Sequence, residues 1–176
     1  MAALGEGRRR YAMNKKAFLA IAGVLVLSGV AAVVVLAQGK DDLAEIKAAT
    51  ARFHRTEVAQ EAGWDYVEGL DNCFDNPGVG GMGYHLINTS LLDDQVTLTS
   101  PEALVYAPGP QGQLQLAGVE YIVPADAWSE SEPPEALGQQ FHLESELGVY
   151  VLHVWLFKNN PVGTFEDWNP KVSCPA

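Results

Sequence analysis

The sequence predicts an α+β domain with one N-terminal helix packed on a curved antiparallel sheet of about five or six strands. Three observations carry that expectation. First, a stretch rich in Ala, Glu and Lys begins at Asp41-Asp42 and is closed by Gly63. Second, short apolar segments at Tyr84–Asn88, Ala103–Tyr106, Gln113–Val123 and Gly148–Lys158 are separated by Gly- and Pro-rich turns. Third, Val149 to Phe157 is apolar on both alternating faces, as expected of a central strand covered on both sides. A two-layer sheet sandwich is the alternative arrangement of the same strands.

The folded domain is expected to occupy residues 38–176. Ahead of it, Arg8, Arg9, Arg10, Lys15 and Lys16 precede the uncharged apolar run from Ala17 to Ala37. Two readings of residues 1–37 stand side by side. A basic start, an apolar stretch and the small-residue end Val35-Leu36-Ala37 have the layout of a signal peptide, all the more so if translation starts at Met13. A run of roughly 20 apolar residues is also long enough to serve as a transmembrane helix, a retained N-terminal anchor. Both place the domain outside the cytoplasm, as a secreted, periplasmic or membrane-anchored protein. The membrane is then a partner only through residues 17–37, if they are uncleaved.

Beyond Ala37, 6 Lys and Arg face 21 Asp and Glu, a formal charge of −15, and no Lys or Arg lies between Arg55 and Lys158. So acidic a surface repels phosphate backbones and anionic lipid, so nucleic acid is excluded as a partner, while cationic partners and metal ions are favoured. Solubility outside the cell is the plainer use of the same charge. Cys73 and Cys174, near the two ends of the domain, are expected to form one disulfide in an oxidising compartment. Closing a loop of about 100 residues adds up to roughly 4.7 kcal/mol in the chain-entropy model.

In chain order, the helix is expected to run to about Ala62, with Leu43, Ile46, Thr50 and Phe53 as its apolar stripe and His54 beside it. After Trp64-Asp65-Tyr66-Val67 comes a turn-rich segment with Asn76-Pro77-Gly78 and Gly80-Gly81-Met82-Gly83. It lacks the GK[ST] of a phosphate loop, so its glycines predict close backbone approach at the start of the strand Tyr84–Asn88. Ala103 to Val123 reads as a hairpin turning at Pro108–Gly112, with Leu114, Leu116, Gly118, Glu120 and Ile122 sharing one face. Pro124 to Leu137 is an acidic loop. Gln139–Leu143 and Gly148–Lys158 are the last two strands, and the turn-rich tail to Cys174 is held by aromatic residues.

Four polar side chains thereby fall on apolar strands: His85, Glu120, His142 and His153. Buried, each requires a hydrogen-bond partner or a ligand. Three imidazoles and a carboxylate are a common ligand set for Zn, Mn, Fe or Cu, and antiparallel neighbours would bring together His142 and His153, eleven residues apart. No GxSxG elbow marks a nucleophile. Acid-base work by Glu120 with a histidine needs no metal.

The segments GMGYHLIN at 81–88, PEALVY at 101–106, GVEYIVP at 118–124 and FHLESELGVYVLHVWLFKNNPVGTFEDWNPKVSC at 141–174 resemble a family of small secreted bacterial proteins of uncharacterised function. The resemblance covers nearly all of the exported domain; it implies export and a single domain, and no activity. The His and Glu set is also similar to the ligand set of cupins, although this chain has no HxH. Two functions follow as expectations. One is an exported divalent-metal-binding protein with His85, Glu120, His142 and His153 as ligands, extending to a metal-dependent enzyme. The other is a non-catalytic extracytoplasmic module for a small ligand or a protein, its pocket lined by Tyr84, Tyr121, Trp155 and Trp168.

Overall fold

A computed structural model describes residues 39–175. The domain is α+β, with a curled antiparallel sheet of six strands. The expectations for residues 1–37 lie outside the described residues, among which no helix is long and apolar enough to cross a membrane.

The expected single helix to Ala62 is broken. Helix α1 covers residues 39–50, a 3-10 turn follows at Ala51–Phe53, and α2 spans only Thr56–Glu61. The Thr50 hydroxyl donates to the Ile46 carbonyl one turn back, the chain tightens, and Arg55 becomes extended. This leaves the Phe53 carbonyl free to accept from Tyr106 Oη at 2.6 Å. A tertiary bond thus ties the break to the sheet.

The strands are β1 (Phe74–Asn76), β2 (Gly80–Ile87), β3 (Ala103–Pro108), β4 (Leu114–Pro124), β5 (Glu135–Ala136), β6 (Gln139–Gln140), β7 (His142–Glu144) and β8 (Val149–Trp155). The sheet order is β1-β2-β3-β4-β8-β7, while β5 and β6 form a separate small hairpin. Leu86, Leu104, Tyr106, Val119, Tyr121 and Val154 make one face fully buried, packed with Ile46, Phe53, Ala59 and Trp64 of the helical segment. Burial of such side chains contributes about 1.5–3 kcal/mol each before entropy is counted.

The expected shared face of Leu114 through Ile122 is corrected by a bulge. Val105 pairs with Gly118 but Tyr106 pairs with Leu116, so Ala117 is the extra residue on β4. Leu114 and Leu116 pack with the helix-side core, whereas Gly118, Glu120 and Ile122 look the other way. Close approach at the glycines is observed. A Cβ on Gly80 would run into the Asn169 carbonyl, and one on Gly83, whose φ is +102°, into the Tyr106 carbonyl.

The tail straps the second face of the sheet. Trp155 N donates to Thr164 O at 2.9 Å, Gly81 and Asn169 exchange backbone bonds of 3.2 and 3.0 Å, and Cys73 is disulfide-bonded to Cys174. Such a bridge is compatible with an oxidising, extracytoplasmic location.

Candidate functional site

Residues paired across antiparallel strands share a face, so the register states which side chains meet. One row across the sheet reads Ile87, Ala103, Glu120, His153. The row on one side reads His85, Val105, Gly118, Trp155, and those on the other read Ile122, Val151, His142 and then Pro124, Val149, Glu144. All four expected residues therefore stand on the strapped face. Ala103, Val105 and Gly118 are the small or short residues between them, over which the longer polar side chains reach.

His85, Glu120 and His153 are buried together. His85 Nε2 lies 3.6 Å from Glu120 Oε2, close but longer than a hydrogen bond. The His85 and His153 rings are 5.8 Å apart, with Phe74 edge-on to His85 and Trp155 4.7 Å from His153. His153 Nδ1 lies 3.1 Å from the backbone carbonyl of Asp167, which can only accept. Nδ1 therefore carries the proton and Nε2 the lone pair. Among the described residues, His153 Nε2 and His85 Nδ1 have no hydrogen-bond partner.

His142 departs from the expected buried quartet. It is exposed on the short edge strand β7, with Nε2 3.3 Å from Glu144 Oε1 and 3.4 Å from Asp167 Oδ2. The sheet thus separates a buried group of His85, Glu120 and His153 from a rim group of His142, Glu144 and Asp167. Among the described residues no three His, Cys, Asp or Glu side chains are set as a ready metal-ligand group. His54, further away in sequence, stands exposed and edge-on to Phe157.

The electrostatics of the buried group favour neutral forms. Burial depresses His85 to about 4. Burial, reinforced by His85 and opposed by the Asp167 carbonyl, takes His153 down to about 3. Glu120 is pushed up to about 8 by burial first, then by the negative fields of Asp167, Glu144 and Glu102. Asp167 is raised by burial, with His142 pulling the other way. At neutral pH this buried group holds two neutral imidazoles beside a protonated carboxyl.

The chain matches no known protein family, no curated protein and no solved structure. What the site can do is read from its own shape and chemistry.

A pocket of about 360 Å³ opens over the polar floor. Its walls are apolar: Val67, Leu70, Phe74, Ile87, Leu92, Ile122, Leu147, Val149 and Val151. Its polar lining is His85, Glu120, Thr89, His142, Glu144 and Asp167. His153 lies beneath the floor, fully buried.

Of the four expected pocket aromatics, Trp168 lines the pocket. Tyr84 and Tyr121 pack with the helix-side core, where Tyr121 Oη donates to Leu98 O at 2.7 Å. Trp155 is on the pocket face but is spent on the strap, its Nε1 donating to Glu166 O at 2.6 Å. The next two carbonyls accept similarly, Asp167 O from His153 and Trp168 O from Asn160 Nδ2 at 3.1 Å. Three consecutive carbonyls so fixed hold the backbone from which Asp167 and Trp168 line the pocket.

Glu144 and Asp167 are the acidic lining residues that sequence reasoning did not place at the site. Glu144 carried a signal: two residues after His142 on a strand, it must share its face. Asp167 carried none beyond its place in DWNP, because the strap is irregular structure positioned from outside itself.

Proposed function

We propose that this domain binds a small, mostly apolar molecule in the strapped pocket, with the polar end of that molecule on His85 and Glu120. The observation that carries this reading is the combination of an apolar-walled pocket of about 360 Å³ with a buried carboxyl and imidazole at its floor. Small-molecule sites have this constitution, a hydrophobic lining with few convergent polar groups. Export and an oxidising compartment fit the same picture through the signal-like start and the disulfide.

The test uses N-phenyl-1-naphthylamine, a neutral apolar probe that brightens on leaving water. Saturable brightening at one probe per chain is expected, and Val149→Trp, which fills one wall, should abolish it while melting as the parent does. Brightening that is linear in probe, or unaffected by the wall variant, removes the pocket reading.

A second reading is a divalent metal on His85, Glu120 and His153, extended toward His142 at the rim. One observation favours it: His153 Nε2 presents a lone pair while Nδ1 is fixed by the Asp167 carbonyl, the arrangement of a metal-binding histidine. Elemental analysis of the exported domain and of His153→Ala decides it. This reading expects stoichiometric Zn, Mn, Fe or Cu that His153→Ala loses, and parent protein that melts lower in chelator. Metal-free protein that gains none on titration and melts alike in chelator excludes it.

A further inference from the structure

The pocket's charged lining is all of one kind. Glu120, Glu144 and Asp167 face it, with His85 and His142, and among the described residues no Lys or Arg lines it. Three carboxyl groups alone would be an ordinary acidic patch. Two further facts make them a seat. Glu120 is 9% exposed and receives no hydrogen bond from any described residue, its nearest polar neighbour being His85 Nε2 at 3.6 Å. His85 is 5% exposed and lines the same pocket, its Nε2 turned toward Glu120.

The chemistry of a fitting head group follows by comparison. A carboxylate or phosphate would meet Glu144 and Asp167 with no guanidinium or ammonium to receive it. An alcohol supplies one donor and leaves the negative field of the rim unused. A primary ammonium supplies three donors and a charge opposite to that field. The carbon body attached to such a head has Leu70, Phe74, Ile122 and Val151 to lie against.

We propose that the pocket selects small amphipathic primary amines, the ammonium seated on Glu120 and His85 and the hydrocarbon against the apolar walls. This rests on the reading of the pocket as a small-molecule site and adds the class of its ligand. Binding is non-covalent, the head group held by hydrogen bonds and charge.

Calorimetric titration of the full exported domain with n-hexylamine, 1-hexanol and hexanoate at pH 7 separates the terms, because the three share one carbon body. A charge-assisted contact replacing a neutral one should make hexylamine about tenfold or more tighter than hexanol. Hexanoate should show no measurable binding. Glu120→Gln should remove most of the hexylamine advantage over hexanol, with melting confirming that the variant is folded. Equal binding of all three alkyl probes overturns the amine inference and leaves the pocket reading standing. So does failure of all three while N-phenyl-1-naphthylamine still binds. Hexylamine selectivity that survives Glu120→Gln overturns the proposed seat, and selectivity that vanishes in chelator assigns the amine to a bound metal instead. Loss of every probe, N-phenyl-1-naphthylamine included, removes both readings.

Discussion

Glu102 shows how a single side chain completes the sheet without entering the pocket. The β3–β4 ladder ends at the Ala103–Glu120 pair, and the next inward amide along β4, Ile122 N, donates to Glu102 Oε2 at 2.9 Å. Glu102 is 2% exposed, and burial, opposed by that bond, pushes its carboxyl up to about 7. Glu102→Ala would leave a buried N–H unpaired and should cost about 1–3 kcal/mol in urea denaturation. Glu102→Gln keeps an acceptor oxygen and should recover most of that loss; an alanine variant with an unchanged midpoint would refute the assignment. In the sequence this residue follows Pro101 and reads only as the start of a strand. Glu120 was legible because it interrupts an alternating apolar face, and His153 because it sits in a doubly apolar run. The exposure of His142 was not, since alternation states which face a residue takes and not whether anything covers that face.

At the scale of elements, local pattern located the strands and the main turns, while long-range bonds decided what the pattern left free. The β7–β8 hairpin follows from the turn residues between Glu144 and Gly148. The bulge at Ala117 does not, because two leucines in phase with Glu120 look identical with or without an inserted residue. The break of the helical segment at Arg55 is likewise tied to the sheet by Tyr106, more than fifty residues away. The strap is the least legible element and the one the pocket needs most. Its disulfide closes a sequence separation of 101 residues. Replacing Cys73 and Cys174 together by alanine should lower stability by about 2–5 kcal/mol. The strap carries Asp167 and Trp168, so the same variant should also weaken N-phenyl-1-naphthylamine binding under conditions where it remains folded. A destabilised but folded variant with parental affinity would show that the wall at Asp167 and Trp168 is held without the bridge.

For the whole molecule, the buried ionisable groups set a stability profile against pH whose signs can be worked out. Glu120 and Glu102 are raised from 4.5 to about 8 and about 7, so their contribution is full below 4.5 and is lost as pH rises through those values. His85 and His153 are lowered from 6.5 to about 4 and about 3, so the folded state gains on the unfolded one as pH rises from those values to 6.5. Between 4.5 and 6.5 two groups of each kind oppose one another, each with a limiting slope of about 1.4 kcal/mol per pH unit, and the profile is nearly flat. Below 4.5 the histidines act almost alone and stability falls with acid. The exposed Asp65, lowered by its bonds from Gln60 and Tyr66, adds to that acid loss, while the raised Asp167 works against it. Above 6.5 the glutamates act without the histidines, Glu102 to about 7 and Glu120 to about 8, and stability falls with base. Thermal midpoints at fixed ionic strength should therefore form a plateau from about pH 4.5 to 6.5 with a descent on both sides. Glu120→Gln should flatten the alkaline descent and leave the acid one in place, since glutamine has no proton to lose. Added salt should not restore the parent's alkaline loss, because the penalty is desolvation at a buried site rather than repulsion across the acidic surface. Parallel alkaline slopes in parent and variant would mean that Glu120 is ionised in the folded protein already, with a cation at its side.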